Sequence, residues 1–156
     1  MENERIKTFV TIVGKLSVCG TDDAVTAVYL PNENLPAMQS GSWEVTDEAA
    51  AEINEYLAGG RKKFDVQYLQ EGTSFRLDVW RALSEIPYGK TVTYAELAEA
   101  SGHPGAARAA GSACAANRIP IIVPCHRVVP SDGGVGSYLG GAELKSRLLA
   151  IEKEQS

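Results

Sequence analysis

The sequence predicts an α/β chain of the α+β kind in two parts, a small sheet-plus-helix part and a mainly helical part. Three observations carry this. Short apolar runs between Ile6 and Leu30 are broken by turn residues, the signature of an antiparallel meander. From Ser74 onward apolar residues recur at helical spacing. Charge also divides: residues 1–70 hold 6 Lys/Arg and 11 Asp/Glu, residues 71–156 hold 9 of each. Gln70-Glu71-Gly72-Thr73 is the expected boundary, giving domains 1–70 and 71–156.

Ile6 to Val13, Leu16 to Val18 and Val25 to Leu30 read as strands, separated by Gly14, Gly20 and Asp22-Asp23. Pro31 to Gly41 is a loop. Asp47 to Leu57 places Ala49, Ile53, Tyr56 and Leu57 on one helical face, and Gly59-Gly60 ends it. Phe64 to Leu69 reads as a further strand. Ser74 is placed to cap a helix whose buried face is Phe75, Val79, Leu83 and Ile86. Pro87-Tyr88-Gly89 is a turn. Thr93-Tyr94-Ala95-Glu96 has the form of a capping box, so a helix starts there and stops near Ser101-Gly102.

Pro104 suits the first position of the next helix, which runs to about Ala116, and the pair has helix-turn-helix spacing. Arg108 is the one long side chain of that helix among Ala106, Ala107, Ala109, Ala110, Gly111 and further small residues. Two readings stand side by side: close packing on a core, or a thin helix entering a DNA groove. Asn117, after the helix, suits a left-handed residue. Ile121-Ile122-Val123 reads as a buried strand. Residues 131–141 contain five glycines but no Gly-Lys-Ser/Thr, so they read as a pocket wall rather than a phosphate loop. Ala142 to Lys153 is a terminal helix.

Composition narrows the classes. The chain has 156 residues, 44% hydrophobic and 22% charged, ordinary for a globular protein. No run reaches a membrane span, and the polar opening Met1-Glu2-Asn3-Glu4-Arg5 is not expected to be a secretory leader. Cys19, Cys114 and Cys125 are an odd set without CxxC spacing, which fits a reducing compartment and a cytoplasmic protein, nuclear if eukaryotic. With two His besides, no structural metal and no cofactor are expected. A net charge of −5 argues against generic nucleic-acid binding. Ala100 to Ser131, however, carries Arg108, Arg118 and Arg127 and no acid, so a nucleic-acid surface would lie there.

Pro124-Cys125-His126-Arg127 is the motif that carries chemistry. A thiol becomes nucleophilic when its proton can pass to a base, and His126 is the nearest one. Strand neighbours point to opposite faces, so a kinked backbone or a bridging water would have to join them. Glu152 is a third member able to orient the imidazole. The alternatives are a core histidine and a solvent-facing carboxylate.

These residues resemble the O6-alkylguanine-DNA alkyltransferase (methylated-DNA–protein-cysteine methyltransferase) family. The resemblance runs through Val79-Trp80, Ile86-Pro87-Tyr88-Gly89, Thr93-Tyr94, Ala106-Ala107-Arg108-Ala109, Asn117, Ile121 to Val128, Tyr138, Gly140-Gly141 and Leu148-Leu149 with Glu152, in order and at family spacing. It implies a ribonuclease H-like first domain and a winged-helix-like second. It further implies single-turnover transfer of an alkyl group from O6-alkylguanine, and O4-alkylthymine, in a flipped-out base.

In that scheme Cys125 accepts the group, His126 takes its proton and Glu152 polarises His126. Tyr94 serves the leaving guanine, and Asn117 braces the turn. Val128, Val135, Tyr138, Leu139 and Gly140 would form the substrate pocket, with the Val128 carbonyl meeting the exocyclic amine. Arg108 would fill the gap in the stack. Arg76, Thr93, Ala95, His103, Ala107, Arg127 and Ser131 would meet the DNA, bound as duplex in the minor groove by a monomer with little sequence preference. Arg118, Ala110 and Arg76 depart from the family's usual residues. Three competing readings remain: a non-catalytic lesion binder, which typically lacks the cysteine; a Cys-His hydrolase; and a plain helix-turn-helix regulator, which would want more polar side chains on its second helix.

Overall fold

The computed structural model describes residues 3–155; Met1 and Glu2, on which the leader reading partly rests, lie outside them. The described residues fall into two compact units that part between Gln70 and Glu71.

In the first unit, β1 (Arg5–Thr11), β2 (Gly14–Gly20) and β3 (Val25–Tyr29) form an antiparallel meander in the order β1-β2-β3. Ile6 pairs with Cys19 and Cys19 with Ala27, and these three side chains form one buried cluster. Helix α1 (Glu44–Leu57) begins three residues before the expected Asp47. The reason is local: the Thr46 hydroxyl accepts from the Trp43 amide at 2.8 Å, which fixes the first turn. Ala49, Ile53, Tyr56 and Leu57 are buried as their spacing requires, and Gly59, at φ +83°, ends the helix.

The expected strand over Phe64–Leu69 is not one. It reduces to a single parallel bridge between Val25 and Tyr68. The amides of Asp65 and Val66, which a ladder would need, donate instead to the Glu52 carboxylate at 3.0 and 3.2 Å.

In the second unit, α2 (Ser74–Ser84) is capped by Thr73, one residue earlier than expected; its hydroxyl accepts from the Arg76 amide. Thr93 and Glu96 form the reciprocal capping box at the start of α3 (Tyr94–Ala100), with bonds of 2.8 and 3.1 Å. Helix α4 (Ala107–Ala115) starts later than Pro104, which sits in the connecting turn. The small residues of α4 serve two faces. Ala110 and Ala113 are buried, and the Trp80 indole donates to the Ala113 carbonyl at 2.8 Å, so α2 and α4 approach closely. Arg108, Ala109, Ser112 and Ala115 are exposed.

The run Ile121–Val123 is a set of turns, not a strand. Pro120 and Pro124 bracket it without ladder donors, and the Asn117 amide group donates to the Val123 carbonyl at 2.9 Å while its oxygen accepts from the Ile119 amide at 3.0 Å. Positive φ falls on Ile121 at 74°, not on Asn117. Cys125–Arg127 is a 3₁₀ turn, and the sheet of this unit is short: β4 (Val92–Thr93) pairs in parallel with β5 (Val128–Val129). Helix α5 (Ala142–Gln155) closes the unit and buries Leu144, Lys145, Leu148 and Glu152 on one face.

Candidate active site

The 3₁₀ turn changes the relation of Cys125 to His126. Neighbours in such a turn stand a third of a turn apart rather than on opposite faces. Cys125, 7% exposed, lines a cavity of about 220 Å³ together with Tyr94, Gly111, Cys114, Ala115, Ser137, Tyr138 and Leu139. A methyl group on Gly111 would stand 3.6 Å from the Tyr94 ring, so glycine keeps that wall thin.

The two residues that follow the cysteine in this turn belong to a buried charge cluster. His126 is fully buried, and its Nε2 stands 2.6 Å from Glu152 Oε2. A carboxylate oxygen accepts, so Nε2 carries the proton and Nδ1 is the basic nitrogen of the neutral ring. Arg127 donates from Nε and Nη2 to the two oxygens of Glu152 at 2.9 and 3.1 Å, and from Nη1 to the Ile86 carbonyl at 2.7 Å. The Gly89 amide donates to Glu152 Oε1 at 3.0 Å. Burial lowers the pKa of His126 below the usual imidazole value, and the bond to Glu152 opposes this.

The resting thiol is not ionised. Burial pushes the pKa of Cys125 up to about 11, against the lowering effects of a hydrogen bond from Asn117 and the charge of Lys145. Nucleophilicity must therefore come from handing the proton to a base during attack, and the neutral imidazole is the acceptor chemistry would choose. Tyr94 is held as a phenol, its pKa raised by burial first and by Cys114 next.

Lys145 is a site residue that sequence reasoning missed. Its buried ammonium donates to the Val128 carbonyl at 2.6 Å and the Ser137 carbonyl at 3.2 Å, pinning the glycine-rich wall to β5. The signal was present: Lys145, Leu148 and Glu152 share one face of a helix by their spacing.

Other expected residues divide. Tyr138 and Leu139 line the cavity; Val128, Val135 and Gly140 do not. The Val128 carbonyl, expected to await the base, already accepts from Lys145. Arg127 does not reach a DNA surface: it is 6% exposed and its donors serve Glu152 and Ile86. Arg76, Ala95, Arg108 and Ser131 are exposed, and Thr93 and Ala107 half-buried. His103 pairs with Asp78 at 2.9 Å and packs edge-on against Phe75. Among the described residues no cluster of three or more His, Cys, Asp or Glu is placed to hold a metal ion, and no helix is long and apolar enough to cross a membrane.

His126 sets a pH expectation. Because its pKa is lowered, the basic form persists further into acid; Glu152, Arg127 and Lys145 are the charged groups that face it. A rate that depends on it is expected to reach half its plateau only below pH 6.5, the ordinary value. An acid limb centred at or above 6.5 in single-turnover rates would contradict this assignment.

A cavity-lining cysteine, followed in the same turn by a histidine held by a buried Glu-Arg pair and set beside two helices of helix-turn-helix spacing, has the parts of a cysteine-based group-transfer protein. Residues 74–154 match the model of the 6-O-methylguanine DNA methyltransferase DNA-binding domain. The methylated-DNA–protein-cysteine methyltransferase of Mycolicibacterium paratuberculosis is 39% identical over 148 residues, 92% of this chain and 89% of that protein. Its namesake from Methanosarcina acetivorans is also 39% identical, over 92% and 95% of the two chains. The crystal structure of Mycobacterium tuberculosis OGT in complex with DNA superposes with a TM-score of 0.91 at 37% identity, covering 97% of this chain and 94% of that one. The chain belongs to the 6-O-methylguanine DNA methyltransferase family.

Proposed function

We propose that this chain repairs DNA by direct reversal, taking the alkyl group of O6-alkylguanine, and of O4-alkylthymine, onto the sulfur of Cys125 in one irreversible turnover. The observation that carries this is Cys125 at the wall of a cavity with the His126–Glu152–Arg127 chain behind it.

The sulfur attacks the alkyl carbon in line. An S–C bond forms, the C–O bond breaks, and its electron pair leaves with guanine. The thiol proton passes to Nδ1 of His126, whose new charge is balanced by Glu152. Guanine gains a proton from Tyr94 as it leaves, and the proton held by His126 passes through solvent to restore the phenol. The sum is thiol plus alkylguanine giving thioether plus guanine, balanced without an oxidant, a reductant or a cofactor. Asn117 holds the cysteine loop, and Lys145 holds the wall that carries Ser137 to Leu139.

Residues 71–156 are the DNA-binding and alkyl-acceptor domain in this reading, and residues 1–70 a separate α/β domain. The thin outer face of α4 enters the minor groove, with Arg108 occupying the gap left by the extruded base. Arg76, Thr93, Ala95, His103, Ala107 and Ser131 surround that helix pair and supply backbone contacts. With residues 71–156 near electrical neutrality, few phosphates are neutralised and the salt dependence is modest. The protein acts as a monomer in a reducing compartment, the cytoplasm or, in a eukaryote, the nucleus; its three cysteines are free thiols.

Incubation with duplex DNA holding O6-methylguanine is expected to add the mass of one CH₂ to the tryptic peptide that contains Cys125. Cys125→Ser is expected to abolish transfer while retaining DNA binding. Folded wild-type protein with no adduct would overturn the reading.

A further inference from the structure

The cavity contains a second sulfur. Cys114 on α4 lines the same space of about 220 Å³ as Cys125. The two thiols share their surroundings: Tyr94 and Lys145 interact electrostatically with both, and Cys114 feels the charge of Cys125. The turn between them is fixed by Asn117, whose backbone amide donates to the Cys114 carbonyl at 3.1 Å and whose side-chain amide donates to the Val123 carbonyl at 2.9 Å. Transfer of a methyl group gives Cys114 no task.

We propose that Cys114 is a second alkylation site, which closes a thioether bridge to Cys125 when the transferred group carries a leaving group on its second carbon, as a 2-haloethyl group does. This rests on the transfer reading above. Cys125 first takes the haloethyl group from guanine as before. Its sulfur then displaces the halide internally: a second S–C bond forms, the C–X bond breaks, and halide leaves with the electron pair. The product is a three-membered episulfonium ring. The Cys114 sulfur attacks a ring carbon, the strained C–S bond returns its pair to the Cys125 sulfur, and the Cys114 proton departs to solvent with the halide. Haloethyl thioether plus thiol thus gives an ethylene-bridged bis-thioether plus hydrogen halide, with no change of oxidation state.

The order of events follows from the surroundings. His126, held by Glu152, follows Cys125 in the same 3₁₀ turn and is the base next to it, so the first alkyl group goes there. Burial pushes the pKa of Cys114 up to about 12, which keeps it from competing for that group. A cationic ring is electrophile enough for a neutral thiol. An ethylene bridge also spans more than the direct S–S bond of a disulfide, so it asks less of the two side chains. The consequence is containment: a reactive half-mustard is consumed inside the protein rather than released onto DNA.

The test uses the full chain and duplex DNA carrying freshly formed O6-(2-chloroethyl)guanine, with O6-methylguanine duplex run in parallel, both read by peptide mass spectrometry. Bridging adds the mass of two carbons and two hydrogens and joins the peptide of Cys114 to that of Cys125. The bridged product is expected to exceed hydroxyethyl-Cys125 several-fold in the wild type, and to vanish in Cys114→Ser and Cys114→Ala, where Cys125 carries the hydroxyethyl group alone. Fragmentation of the wild-type product locates the bridge even where a variant fails to fold. Hydroxyethyl-Cys125 as the main wild-type product, a bridge to Cys19, or Cys125 joined to DNA would each overturn the inference while leaving the transfer reading intact. No adduct on Cys125 from either lesion would overturn both.

Discussion

Glu152→Gln is expected to cost both folding stability and transfer, and by different routes. Glu152 is 1% exposed and its two oxygens accept from the Gly89 amide, His126 and two nitrogens of Arg127. Glutamine offers one acceptor oxygen, and its NH₂ must face donors on one side or the other. Arg127 is then a buried cation without a counter-charge, a change that costs about 3–5 kcal/mol where one partner of a buried pair is removed. Urea unfolding reads that loss directly. Transfer falls because the imidazolium formed when His126 takes the thiol proton is no longer stabilised; general-base contributions of this kind are about 10²–10⁴-fold. The two routes separate in Arg127→Met/Glu152→Gln, which removes both charges. That variant is expected to regain part of the stability and none of the transfer rate. A Glu152→Gln protein that unfolds at the wild-type urea concentration and transfers at the wild-type rate would remove Glu152 from the site.

How much of this is legible in the sequence depends on how local each cause is. The capping box at Thr93 and Glu96 and the meander between Arg5 and Tyr29 are written within a few residues, and both stand where expected. Ile121–Val123 misled because β-branched residues favour strands only where a ladder partner exists, and here two prolines and the Asn117 side chain remove that option. Phe64–Leu69 failed for a related reason, since Glu52 takes its amides. The Cys-His-Glu set was legible as residue types, but its geometry was not. Arg127 looked like a surface cation because its partner lies 25 residues away on α5. Lys145 went unnoticed because a lysine on a helix is usually solvent-facing. Only its place on the Leu148–Glu152 face pointed inward.

Arg108→Ala separates access from chemistry. Arg108 is exposed on α4, where its neighbours Ala109, Ser112 and Ala115 add little bulk. None of the cavity residues is touched by the substitution, since Arg108 does not line the cavity. In the proposed complex its side chain fills the space vacated by the flipped nucleotide and offsets an unstacking cost of about a few kcal/mol. Each 1.36 kcal/mol lost corresponds to a factor of about ten in rate. Transfer from O6-methylguanine in duplex is therefore expected to slow by about two orders of magnitude. Attack on a free O6-alkylguanine base, which needs no extrusion, is expected to proceed at the wild-type rate, because Cys125, His126 and Glu152 are unchanged. A single-stranded substrate should fall between the two, since its bases are less stacked. Arg108→Lys keeps the charge but loses the planar guanidinium that stacks on bases, so it is expected to recover only part of the duplex rate. Equal slowing on duplex and free base would place the effect of Arg108 in the fold rather than in the stack.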